Sequence, residues 1–206
     1  MTVTLLAISG SPNRHGNTET LLDAFLEGAG GAGAACEKVV ISTLKFRSCT
    51  GCNACHKTGA CVVRDDFTPL LEKMMEADIL VLASPIYSMG ITAELKALID
   101  RGQVFWARKF LLKDLDFSKE HIRQHKGVFI STAGQDNDRV FDGAYPVITA
   151  LFNDCGFEYY ANIAINRMDM HGGIRGHPTA LGDARKKGEE VVKTVSELRA
   201  LPESVL

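Results

Sequence analysis

The chain has 206 residues, a net charge of -2 and 46% hydrophobic residues, enough apolar material for a single globular domain over residues 1–206 with a core of its own. A balance this close to neutral, with no basic stripe, excludes the electrostatic attraction on which nucleic-acid binding depends. No apolar run approaches membrane-spanning length, and six cysteines are too sparse for a disulfide scaffold, so clustered ones point to metal or redox use in a cytoplasmic protein.

The N-terminus has no basic region before its apolar residues and reads as a first strand, residues 3–8, rather than a signal peptide. Ser9-Gly10-Ser11-Pro12-Asn13-Arg14-His15-Gly16-Asn17-Thr18 follows, and then a helix with Leu21, Leu22, Phe25 and Leu26 on one stripe. Small residues at a helix N-terminus let backbone N–H groups face an anion, with Ser11, Asn17 and Thr18 as further donors. A polar turn capped by Asn or Thr has the same composition. Neither the Gly-x-Gly-x-x-Gly fingerprint nor the Gly-Lys-Ser/Thr loop is present, which favours a mononucleotide over a dinucleotide or ATP.

Residues 28–35 read as a helix end and flexible turn, and residues 38–42 as the second strand. Next come Cys49-x2-Cys52-x2-Cys55-x5-Cys61, on a loop spanning residues 47–65. Four thiolates in thirteen residues can wrap one small inorganic cluster. Zinc is the main rival, although structural zinc usually gathers two separated Cys-x-x-Cys hairpins. Asp65 and Asp66 read as a cap and dipole partner for a helix opening at Phe67. Cys36 and Cys155, outside the cluster, read as small core residues.

The third strand, residues 79–83, ends in Ser84-Pro85-Ile86-Tyr87-Ser88-Met89-Gly90. In a doubly wound sheet this end flanks the switch-point crevice beside the first strand, where Tyr87 and Met89 offer flat or polarisable surface to an aromatic ring. A helix with Ile91, Leu95, Leu98 and Ile99 on one face follows. Residues 101–126 then run without a clear element, and the insertion, about residues 102–126, reads as a lid, a subunit contact or a solvated helix plus loop. The fourth strand, residues 128–131, leads into Ser131-Thr132-Ala133-Gly134 on the same rim. Residues 140–155 are helically periodic, but Pro146 makes the helix start near Tyr145 or kink there. A fifth strand, residues 159–165, and a long closing helix after Pro178 complete an α/β chain of five parallel strands. His171 and His177 flank a glycine-rich loop and read as surface histidines.

Gly10-Ser11-Pro12 with Gly16-Asn17-Thr18, then Ser84-Pro85-Ile86-Tyr87, then Ala93-Glu94-Leu95-Lys96-Ala97-Leu98-Ile99-Asp100-Arg101 resemble, in order, the recurring segments of the NADPH-dependent FMN reductase family of flavodoxin-like proteins. With the cysteine run and Cys61-Val62-Val63-Arg64-Asp65-Asp66 added, the chain resembles the iron-sulfur flavoprotein branch. The resemblance implies a flavodoxin-like doubly wound five-stranded parallel sheet of order 2-1-3-4-5 with helices on both faces. It also implies FMN at the strand ends, a [4Fe-4S] cluster on Cys49, Cys52, Cys55 and Cys61, and a homodimer or homotetramer that brings one subunit's cluster near a neighbour's flavin. Carried over by position, Ser11, Asn13, Asn17 and Thr18 hold the phosphate, with Arg14 a candidate counter-charge because Asn13 stands where the family often has Arg. Pro85, Ile86, Tyr87, Ser88, Met89 and Gly90 hold the ring, and Ser131, Thr132, Ala133 and Gly134 its other edge. The implied enzyme is an FMN-dependent oxidoreductase passing electrons between a ferredoxin-like donor or NAD(P)H and a small-molecule acceptor. A cluster-free FMN or quinone-type reductase and a non-catalytic flavodoxin-like carrier are the alternatives; no catalytic residue independent of the cofactors is expected.

Overall fold

A computed structural model of the chain describes residues 2–201. Its strands are β1 (Thr4–Ser9), β2 (Ala35–Val40), β3 (Ile79–Pro85), β4 (Lys126–Thr132) and β5 (Glu158–Ile165). All neighbours pair in parallel, in the order β2-β1-β3-β4-β5, as expected. The helices are α1 (Asn17–Gly31), α2 (Cys55–Thr58), α3 (Phe67–Glu76), α4 (Ala93–Arg101), α5 (Gln103–Trp106), α6 (Lys119–Gln124), α7 (Tyr145–Cys155) and α8 (Ala180–Ala200). Since successive strand residues point to opposite faces, Leu5, Ala7, Val81 and Ile130 pack with α1 and α8. Leu6, Ile8, Leu82 and Phe129 pack with α3, α4 and α7. Burial on both faces is why the inner strands read as continuous apolar runs.

Two glycines bring α1 and α8 into backbone contact. A Cβ on Gly28 would stand 2.0 Å from the Arg185 carbonyl oxygen, and one on Gly188 2.1 Å from that of Phe25. At the amino end of the sheet, buried Asp78 accepts the Thr4 N–H (2.8 Å) and Nη1 of Arg199 from α8 (2.7 Å). The ring of His125 lies beside this carboxylate, 3.9 Å from Nε2. His121 is stacked between His125 (3.7 Å between ring centroids) and Phe117 (4.8 Å). Burial, then the neighbouring His125 and Arg199, push its pKa down to about 4.

Several sequence expectations shift. Pro146 is accommodated at the start of α7, where no helical N–H is needed, and this places the boundary at Tyr145. The second strand lies at Ala35–Val40, earlier than residues 38–42, because Ile41–Thr43 close a 3-10 turn. Cys36 is exposed on that edge strand and so is not a core residue, whereas Cys155 is buried as expected. The stretch expected to lack elements contains α5, a π-helical turn (Ala107–Leu112) and α6. Its buried Val104, Phe105 and Ala107 make only a short stripe, which the widened turn from Ala107 keeps from running on.

Gly188→Ala is expected to cost about 1–3 kcal/mol by overpacking the α1–α8 contact, read as a lowered midpoint in denaturant. The unfolded chain takes up the His121 proton near pH 6.5 and the folded one only near pH 4. Stability is therefore full above pH 6.5 and is lost as pH falls from there towards 4. His121→Gln should shrink that acid loss of melting temperature between pH 7 and 4.5, and an unchanged slope would exclude the residue as its source.

Candidate functional site

The loops after β1, β3, β4 and β5 open together on the carboxyl rim of the sheet and form one cleft. Its first wall carries Ser11, Asn13, Gly16, Asn17 and Thr18, its second Pro85, Ile86 and Tyr87, and its third Thr132, Ala133 and Gly134. Met168 and Asp169, after β5, close it. Cross-links between loops fix this shape. The Gly10 N–H donates to Ala83 O (2.7 Å), and Thr92 donates through Oγ1 to Gly10 O (2.7 Å) while capping α4. Thr18 and Thr132 join hydroxyls across the cleft floor at 2.6 Å. The Asn17 Oδ1 accepts the Ile174 N–H (2.9 Å), which leaves its amide donors for the cleft.

Helix α1 begins at this cleft behind Gly16, and among the described residues no side chain caps its first turn. Its leading N–H groups and the positive end of its dipole thus face the loop, as a phosphate requires. Glu19, buried in that turn, accepts the His15 N–H (2.5 Å) and pairs with Arg14 (3.3 Å) and Lys38 (3.1 Å). Burial opposes its charge, but these partners outweigh burial and hold its pKa below the ordinary carboxylate value.

Not every expected residue reaches the cleft wall. Arg14 is turned to Glu19 and does not line the cleft. Ser131 is buried in β4 and donates to Ser84 O (2.7 Å). Ser88 and Met89 form the tip of a tight turn in which Tyr87 and Gly90 exchange two backbone hydrogen bonds. Both tip residues have left-handed backbone (φ 49° and 66°). The tip places the Tyr87 and Met89 side chains half in solvent. Met168 and Asp169 were missed, since no charge or glycine pattern marks them. In the structure Asp169 packs against Gly134, where a Cβ would lie 2.6 Å from Oδ2 of that carboxylate.

A second cavity of about 270 Å³ opens on the loop after β2. Cys49, Cys52, Cys55 and Cys61 all line it, together with the loop residues Thr50, Gly51 and Asn53. Gly51, Asn53 and Gly59 have left-handed backbone (φ 67°, 57° and 68°), and these three reversals curl the loop until its cysteines share one hollow. Burial, and then the charges of Cys49, Cys61 and Cys52, push the Cys55 thiol up. Among the described residues no three His, Cys, Asp or Glu side chains are grouped as a single-ion site. The two cavities share no wall residue.

The 102–126 segment meets the cysteine cavity at its start. Gln103 lines it, its amide meets the His56 ring nitrogen (3.3 Å), and Trp106 packs against the same ring (5.7 Å between centroids). Arg101, at the end of α4 and only 2% exposed, secures the loop's two ends. Its Nη1 donates to Arg47 O (2.9 Å) and Asp65 Oδ2 (2.8 Å), and its Nη2 to Asp65 Oδ1 (3.1 Å) and Val63 O (3.3 Å). The guanidinium also covers the Phe67 ring, 4.4 Å from its centroid. Burial opposes the Arg101 charge, but Asp65 and the Cys61 sulfur outweigh it and raise its pKa. The carboxyl of Asp65 is lowered by the same contact and by the Arg47 and Phe67 N–H groups, against burial.

A model of the NADPH-dependent FMN reductase family matches residues 3–139. An iron-sulfur flavoprotein of Archaeoglobus fulgidus is 44% identical over 96 residues, 47% of this chain and 44% of that protein. Another, from Methanosarcina thermophila, is 37% identical over 110 residues, 53% and 58% of the two chains. The chain spans about half the length of the curated relatives it matches. The fold of an NAD(P)H:quinone oxidoreductase from Methanothermobacter marburgensis superposes with TM-score 0.68 at 18% identity, covering 93% of this chain and 96% of that one. A Bacillus anthracis FMN-dependent NADH-azoreductase in complex with FMN gives 0.64 at 16% identity, covering 93% and 98%. Among the described residues no helix is long and apolar enough to cross a membrane.

Proposed function

The chain belongs to the NADPH-dependent FMN reductase family, and on that premise we propose that it is an iron-sulfur flavoprotein, an FMN-dependent oxidoreductase with a [4Fe-4S] cluster on Cys49, Cys52, Cys55 and Cys61. The observation that carries this reading is that four cysteine side chains line one hollow while a separate cleft presents an uncapped helix N-terminus. Sulfurs distributed around a hollow suit a cluster, whose irons lie between them, better than a single zinc ion that draws four sulfurs to one point. Bound in these places, FMN supplies one- and two-electron chemistry and the cluster supplies single electrons.

The residues of the chain then have distinct tasks. The first turn of α1, with Ser11, Asn17 and Thr18, holds the phosphate. Pro85, Ile86 and Tyr87 lie against the ring, and Thr132, Ala133 and Gly134 against its other edge. Thr50, Gly51 and Asn53, which line the hollow, would offer backbone N–H groups to the cluster sulfurs. Since the cavities share no wall within one chain, passage between them fits assembly of a homodimer or homotetramer. A ferredoxin-like protein or NAD(P)H is the donor and a small molecule the acceptor.

Protein purified without air is expected to contain FMN and about four irons per chain, with a broad shoulder beside the flavin absorption. Zinc in place of iron, or flavin with no metal, would reject the cluster and leave a cluster-free reductase or carrier. Cys52→Ser should lose the iron and keep FMN. Asn17→Ala should keep the iron while FMN affinity falls about tenfold, the worth of one charge-assisted hydrogen bond. Loss of both cofactors together in either variant would show that the two sites are not separate.

A further inference from the structure

We propose that Arg101 is the positioning residue of the cysteine site, donating its Nε–H to a sulfur of the cluster at Cys61 and thereby raising the cluster's reduction potential. The inference rests on the reading that the four cysteines hold an iron-sulfur cluster, and it concerns a residue of α4 outside the cysteine motif.

Three observations converge on it. First, the guanidinium is almost wholly buried, its side chain 1% exposed, and it lines the same hollow as the cysteines. Second, four of its five N–H groups lie on Nη1 and Nη2, which face Arg47 O, Val63 O and the Asp65 carboxylate, whereas the buried Nε has no partner among the described residues. Buried donors left unpaired are rare and expensive, and one beside a metal site implies an acceptor that completes it. Third, Cys61 lines the same hollow, and the guanidinium grips the chain two residues beyond it, at Val63 O (3.3 Å), which brings sulfur and guanidinium to one wall.

The geometry also gives Arg101 its leverage. Arg47 lies two residues before Cys49, and Val63 and Asp65 lie two and four after Cys61, so one planar group grips both ends of the ligand loop. Hydrogen bonds to cluster sulfurs stabilise the more negative, reduced state and are a main determinant of potential. Lysine keeps the charge but has neither the fork nor a nitrogen at the Nε position. Arg101→Lys therefore separates charge from hydrogen bonding.

The test is an anaerobic redox titration, followed by electron paramagnetic resonance, of wild type, Arg101→Lys and the double variant Arg101→Gln/Asp65→Asn, which replaces the ion pair as a unit. Iron and FMN contents are measured in parallel. Both variants are expected to retain FMN and iron, with the equilibrium constant for cluster reduction lowered about tenfold, or ~59 mV for one electron. An unchanged potential with iron retained overturns the proposal while leaving the cluster intact; iron-free wild type overturns the underlying reading and the proposal with it. If both variants lose FMN and have not folded, protein labelled with guanidino-15N arginine decides, with the exposed Arg47 and Arg64 replaced by lysine. A 15N hyperfine coupling to the reduced cluster is expected, and its absence overturns the proposal.

Discussion

Five strands running in one direction put every carboxyl end on a single rim, and all the chemistry-bearing loops of this chain hang from that constraint. The loops after β1, β3, β4 and β5 meet in one cleft, and the loop after β2, at the sheet edge, curls into a separate hollow. Parallel pairing also turns the N-terminus of α1 towards that rim, because a helix that crosses back must begin where its strand ends. Backbone direction thus aims an uncapped helix N-terminus at the cleft before any side chain is chosen. Side chains then decide which loop grips which neighbour, as Thr18 does with Thr132 and Asn17 with the Ile174 N–H.

The cysteine loop has little core of its own. Cys49 and Cys52 are exposed and the segment before α2 has no regular structure. What holds it is a buried ion pair at its ends, Arg101 with Asp65, strengthened by two carbonyl acceptors and the Phe67 ring. Such a pair gives modest net stability, since desolvation offsets attraction, but removing one partner strands a buried charge at about 3–5 kcal/mol. Its value lies in placing the loop in one position. Asp65 has a second duty, accepting the Phe67 N–H at the head of α3 (3.2 Å), so one carboxylate joins the loop to two helices.

Much of the fold was legible because its inner strands are apolar on both faces and its long helices keep a 3.6-residue stripe. Leu21, Leu22 and Phe25 announce α1 from spacing alone, and the cysteine spacing marks the hollow. Legibility stopped where contacts are made by residues distant in sequence. Asp65 and Asp66 read as a local cap, and the sequence contains nothing to say that Arg101, 36 residues on, would claim Asp65. Arg14 looked like a counter-charge for an anion until Glu19, buried five residues on, engaged it. The 102–126 segment failed for a different reason. Short helices interrupted by a π turn have no single period, and Trp106 gave no hint that its partner would be the ring of His56.

That partnership bears on how such a loop can be transplanted. Residues 47–65 carry every cysteine of the hollow, yet their seat is supplied by Arg101, Gln103 and Trp106, while Gly59 fits within 3.3 Å of the Arg108 and Leu112 side chains, measured from where its Cβ would be. A flavodoxin scaffold given the cysteine loop alone would receive the cysteines without the side chains they pack against. Boundaries drawn around the motif are therefore too narrow: the packed unit is the loop together with the end of α4 and the π turn that follows.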